Sequence, residues 1–115
     1  MAETLHLDKD EYLFHESEES TEMYYLSKGT LAVLKRKGNG EQQIGTIYSG
    51  ELVGEMSFLD TSPRSASIKA VVESELTIIP HSKIEVLLQK QPPWFRALIK
   101  TLLERLRKTN TKVKV

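Results

Sequence analysis

Met23-Tyr24-Tyr25-Leu26-Ser27-Lys28-Gly29-Thr30-Leu31-Ala32-Val33-Leu34-Lys35 sets two β-prone runs on either side of a single glycine. Aromatic and β-branched side chains suit a pleated surface, and each run is too short for a comfortable helix. The rhythm continues outward. Tyr12 to His15 precedes this stretch, and Gln43 to Tyr48, Ser65 to Val72 and Leu76 to Pro80 follow it. The breaks fall at Gly29, Gly38-Asn39-Gly40, Ser49-Gly50 and Asp60-Thr61-Ser62-Pro63, all turn chemistry. From residue 65 onward Ala66, Ile68, Ala70 and Val72 share one side, and Ser65, Ser67, Lys69 and Val71 the other. Short strands at intervals of about ten residues, without helices between them, predict an antiparallel β jelly roll or sandwich over about residues 5–80.

After Pro80 the period changes. Ser82 is placed to cap a helix over about 82–90 carrying Ile84, Val86, Leu87 and Leu88, and Gln91-Pro92-Pro93 stops it. A second helix is expected over about 93–112. Phe95, Ile99, Leu102, Leu106, Thr109 and Val113 recur at four-three spacing, widened by Leu98 and Leu103, a seam suited to pairing with a second copy as a homodimer. Arg105, Arg107, Lys108, Lys112 and Lys114 suit the negative end of that helix. The expected fold is mainly β with C-terminal helices, an antiparallel jelly roll followed by two α-helices, with residues 1–115 forming one domain.

The 115 residues are 28% charged and 39% hydrophobic, enough for one core without a staple or structural metal. There is no cysteine, which removes a disulfide scaffold, a thiolate nucleophile and a cysteine zinc site, and is compatible with a cytoplasmic setting. No apolar run approaches the roughly 18 residues of a membrane span, and the first residues lack a signal-peptide pattern. The zero net charge conceals an asymmetry: residues 1–60 hold 12 acidic and 5 basic side chains, residues 61–115 hold 4 and 11. The basic end reads either as a solvated helix face or as a patch for an anion, and overall neutrality argues against a nucleic-acid binder. His6, His15 and His81 lack metal-ligand spacing, and no Ser-His-acid set is apparent. Neither a metal site nor an enzyme is expected.

Residues 50–67, from Gly50-Glu51-Leu52-Val53-Gly54-Glu55 through Met56-Ser57-Phe58-Leu59 to Pro63-Arg64-Ser65-Ala66-Ser67, carry the chemistry. Met56 to Leu59 can form one helical turn, whose leading N–H groups suit an anion. The Asp60–Pro63 turn returns the chain so that Arg64 can offer its planar fork to the same phosphate. Small residues at 65–67 and Gly54 leave room for close approach. Glu55 would repel a phosphate, so its expected partner is a neutral donor such as a sugar hydroxyl. The competing reading is an ion pair between Glu55 and Arg64 with nothing bound.

This segment resembles the phosphate-binding cassette of the cyclic-nucleotide-binding domain family. Tyr24 to Val33 is similar to the family's third and fourth strands, and the tail to its last two helices. The resemblance implies that Glu55 and the Gly54 backbone hold the ribose 2′-hydroxyl, and that Arg64 binds the cyclic phosphate with help from the backbone N–H groups of Ser57 and Ser65, beside Met56. It also implies that Arg105, Thr109 and Asn110 reach the base from the last helix. Val33 and Ile47 either line the base pocket or pack in the core. The family pattern carries glycine near Lys9-Asp10 and near Ser17, where this chain has none, so the first turns are where it departs. The function implied is a regulatory sensor for a cyclic nucleotide, cAMP before cGMP, that draws its last helix over the base. It would have no cofactor, its effector domain would lie outside this chain, and the chain carries no DNA-reading element. The alternative is a structural dimerisation module with an empty cassette.

Overall fold

The computed structural model describes residues 3–54 and 63–109, apart from the side chains of residues 106, 107 and 109. The strands are β1 (Glu3–Leu7), β2 (Tyr12–Phe14), β3 (Glu22–Lys28), β4 (Thr30–Lys37), β5 (Gly40–Tyr48), β6 (Leu52–Val53), β7 (Ser67–Ala70) and β8 (Ser74–Pro80). Helices α1 (His81–Gln89) and α2 (Pro93–Thr109) follow. One four-stranded sheet runs β1-β8-β3-β6 and the other β2-β7-β4-β5, with every pairing antiparallel. This is the expected jelly-roll sandwich with two C-terminal helices.

Alternation along the strands turns one set of side chains from each sheet into a common interior. Tyr24, Leu26, Val53 and Leu76 meet Phe14, Leu31, Val33, Ile47, Ala66, Ile68 and Ala70 in a single buried cluster. Burial of each large aliphatic side chain contributes about 1.5–3 kcal/mol. Gly29 makes the corner where β3 in one sheet becomes β4 in the other. It sits at φ +110, and a Cβ there would collide with the backbone and side chain of Ser74, so only glycine lets the sheets close at this edge.

Several boundaries differ from the sequence expectation. β1 and β6 were not anticipated: β1 has few apolar residues of its own and exists through its pairing with β8, Leu5 opposite Leu76, while β6 is only two residues long. β7 is shorter than the expected 65–72 stretch. Arg64 instead pairs with the loop before β3, and Val71 and Val72 lie exposed in the turn to β8. Ser82 does not cap α1. The helix starts at His81 with Pro80 in the capping position and no side-chain cap, and the His81 N–H donates to the Thr21 carbonyl at 3.1 Å. The Pro92-Pro93 stop holds, and the Pro92 carbonyl accepts the first hydrogen bonds of α2, from Phe95 and Arg96.

Asp10 (φ 73) and Ser17 (φ 78) adopt the left-handed conformation at the two positions where the family pattern carries glycine. The turns therefore keep a glycine-like shape with non-glycine residues, at a cost of about 1–2 kcal/mol per residue, less for Asp, which tolerates this region.

Candidate functional site

Arg64 is the organising residue. Its backbone is clamped by the β2–β3 loop: its N–H donates to Glu18 O at 2.8 Å and its carbonyl accepts the Ser17 N–H at 2.8 Å. The left-handed turn at Ser17 aims that N–H. The residue is only 4% exposed. Its Cζ lies 4.1 Å from the Phe14 ring centroid and 5.8 Å from that of Tyr24, and Nη2 donates to the Glu22 carbonyl at 2.7 Å. Two ring faces and a carbonyl thus replace part of the water that a guanidinium loses on burial.

Gly54, at the end of β6, forms the adjoining wall. It is buried at φ +80, and a Cβ built on it would lie 2.5 Å from Arg64 Nη1. The missing side chain is the space the guanidinium crosses. Around this cation the electrostatics are set by burial and by acids. Burial lowers the Arg64 pKa, and the neighbouring Tyr24, Glu22 and Glu18 work against that lowering. Tyr24 is held protonated by burial and by its 2.8 Å hydrogen bond to Glu22 Oε1. His81, at the start of α1, is pushed below its ordinary pKa by burial and then by the Arg64 charge.

Ser65 is half-buried and its carbonyl accepts a hydrogen bond from Lys35 Nζ at 2.5 Å. Ala66 and Ser67 are buried, and Ser67 Oγ accepts the Glu16 N–H at 2.8 Å. Arg64, Gly54 and Ser65 therefore come together as one site. Val33 and Ile47 belong to the buried core cluster. Arg105 is exposed on α2, and Thr109 is that helix's last residue, its side chain outside the described set. Glu55, Met56, Ser57 and Asn110, with the turn expected at Met56–Leu59, lie outside the described residues.

Sequence reasoning missed Phe14, Tyr24, Glu22 and Lys35. Their connection to Arg64 is purely tertiary, made across residue separations of 30 to 50 or so, and no local spacing signals it. It also missed an exposed trio, His6, Asp8 and Glu73, whose ligating atoms lie within 4.8 Å of one another. These groups already serve each other, with His6 Nε2 at 3.1 Å from Asp8 and 3.7 Å from Glu73.

A β-roll with a buried arginine set against a glycine wall at the entry to β7 defines a class. Residues 4–91 match the family model described as cyclic nucleotide-binding domain, and the chain belongs to that family. It is 31% identical over 103 residues to the cAMP-activated global transcriptional regulator CRP of Salmonella typhimurium, covering 88% of this chain and 49% of the regulator. It is also 31% identical over 106 residues to Lysophospholipase nte1 of Neosartorya fischeri, covering 91% of this chain and 7% of that protein. The chain thus spans half or less of these relatives. Among solved structures, the EAL enzyme Bd1971 matches in its cAMP-bound form (TM-score 0.76, 26% identity, 93% of this chain and 29% of that one). Its cGMP-bound form matches equally well (TM-score 0.77, 26% identity, 95% and 30%). No helix among the described residues is long and apolar enough to cross a membrane.

Proposed function

We propose that this single domain is a cAMP-preferring sensor in which Arg64 pairs with the cyclic phosphate, Glu55 and the Gly54 backbone hold the ribose, and occupancy moves α2. The observation that carries the reading is the buried Arg64 guanidinium laid against Gly54 and fixed in place by Ser17, Glu18 and Glu22. Such a cation is already desolvated and oriented, so a monoanion arriving there forms charge-assisted hydrogen bonds without the cost of ordering the side chain. Ser57 and Ser65 N–H groups, beside Met56, complete the phosphate contacts. Arg105, Thr109 and Asn110 act on the base, and Asn is suited to the N6 and N7 edge of adenine. The names of the relatives support the ligand class, and the two bound forms of the structural neighbour keep cGMP as the second ligand.

Helix coupling has a physical route. The Glu22 carbonyl holds Arg64, and the carbonyl of the preceding residue, Thr21, holds the first N–H of α1. A phosphate bound to Arg64 is therefore linked through Glu22 and Thr21 to the turn that anchors α1, and through α1 to α2. This works as a switch only if the two helix positions differ in ligand affinity. In α2, Phe95 and Ile99 of the expected seam are half-buried, and Trp94, Leu98 and Leu102 form an exposed stripe at four-residue spacing, which favours a homodimer through this helix. The domain acts by binding and not by catalysis.

Calorimetric titration with cAMP, cGMP and linear 5′-AMP tests the reading. Saturable binding is expected in the order cAMP, cGMP, 5′-AMP, the dianionic linear nucleotide fitting a monoanion site poorly. Binding of 5′-AMP as tight as cAMP would contradict the cyclic-phosphate assignment, and binding of none of them would leave the dimerisation module as the reading.

A further inference from the structure

We infer that Lys35 is a positioning residue for the anion site, acting through the backbone of Ser65; the inference rests on the cyclic-nucleotide reading above. In sequence Lys35-Arg36-Lys37 is an ordinary basic run at the end of a strand. In the fold Arg36 and Lys37 are exposed, whereas Lys35 is half-buried and its ammonium reaches the Ser65 carbonyl at 2.5 Å.

The contact is itself supported. Lys35 Nζ lies 3.5 Å from Glu16 Oε2. Glu16 is fixed at two further points, since its Oε1 accepts the Arg36 N–H at 3.0 Å and its own N–H donates to Ser67 Oγ at 2.8 Å. The Arg36 N–H and then the Lys35 charge lower the Glu16 pKa, which keeps the carboxylate ionised opposite the ammonium. The end of β4, the β2–β3 loop and the start of β7 are thereby stitched together around the residue that follows Arg64.

Peptide planarity turns these bonds into an orientation. The peptide linking Arg64 to Ser65 carries the Arg64 carbonyl on one side and the Ser65 N–H on the other. Ser17 holds that carbonyl, so it fixes where the Ser65 N–H points. The next peptide carries the Ser65 carbonyl, and Lys35 holds it. With both planes held, φ and ψ of Ser65 are set before any ligand arrives.

The test compares wild type with Lys35→Met and Lys35→Arg by calorimetric titration of cAMP and cGMP, melting of the unliganded proteins, and amide hydrogen exchange at Ser65 to Ser67. Lys35→Met is expected to weaken cyclic-nucleotide binding about tenfold, as for one freed residue of backbone that must be ordered on binding, and to speed exchange at Ser65 to Ser67 selectively. Lys35→Arg, which keeps a donor and the charge, is expected to restore most of the affinity. Wild-type affinity in Lys35→Met overturns the inference while leaving the ligand reading intact. So does an affinity loss in Lys35→Met matched by a general drop in melting temperature and shared equally by Lys35→Arg, since that pattern marks a merely structural lysine. Wild type that binds neither nucleotide overturns both.

Discussion

The Arg64 corner and helix α2 both contribute to the proposed site, yet they are held in different ways. At the corner, backbone and side chain are each bonded, two aromatic rings lie beside the cation, and Gly54 adjoins it closely. In α2 none of the side chains from residue 93 to 105 is buried, and Trp94, Leu98 and Leu102 are 68%, 46% and 51% exposed. A receptor built this way keeps its geometry when empty, while an element with so little burial shifts at low cost. On the proposed reading, recognition falls to the roll and response to the helix.

Substitutions in the rigid corner sharpen this contrast. The largest effect short of removing Arg64 is expected from Gly54→Val. Its Cβ would lie 2.5 Å from Arg64 Nη1, closer than the two atoms can sit, at a backbone φ that β-branched residues avoid. Cyclic-nucleotide affinity, read by calorimetry, should fall by tenfold or more, with about 1–3 kcal/mol lost in urea unfolding. A tolerated valine would show that the corner is looser than described. Phe14→Leu keeps apolar bulk but removes the ring under the guanidinium. The cation–π share is about 0.5–2 kcal/mol, so a several-fold loss of affinity and a lower melting temperature are expected.

Ser17→Gly is the smallest and has the opposite sign. At φ 78 glycine relieves strain, partly offset by the greater entropy of its unfolded chain, and a net gain of up to about 1 kcal/mol is expected in chemical unfolding with ligand affinity unchanged. Destabilisation would mean that the Ser17 side chain has a role beyond the turn.

Much of the roll was legible in sequence because strand alternation and glycine punctuation are local signals. Gly29 marked its corner, and Ala66, Ile68 and Ala70 fell on the buried side as their spacing required, while Val72, assigned to the same side, is exposed and Ser67, assigned to the other, is buried. What escaped notice depends on partners distant in sequence. β1 is a strand because β8 lies beside it, and α1 is capped at Pro80, two residues before Ser82, with Thr21 taking the His81 N–H. The site divides the same way. Arg64, Ser65 and Gly54 stood out through residue type and spacing within one segment. Phe14, Tyr24, Glu22 and Lys35, which orient them, come from three other strands and look in sequence like ordinary core or surface residues. The glycine pattern misled in one respect: Asp10 and Ser17 lack the expected residue but keep the backbone that glycine would have provided.

The most direct test of the central claim is the melting temperature of wild type and Arg64→Ala as cAMP is raised. At a hundredfold excess over Kd, ligand should stabilise the wild type by about 2.7 kcal/mol, a rise of roughly 10 °C. Arg64→Ala, losing two charge-assisted hydrogen bonds, should need on the order of a hundredfold more cAMP for the same rise. Superimposable curves for the two proteins would contradict the account.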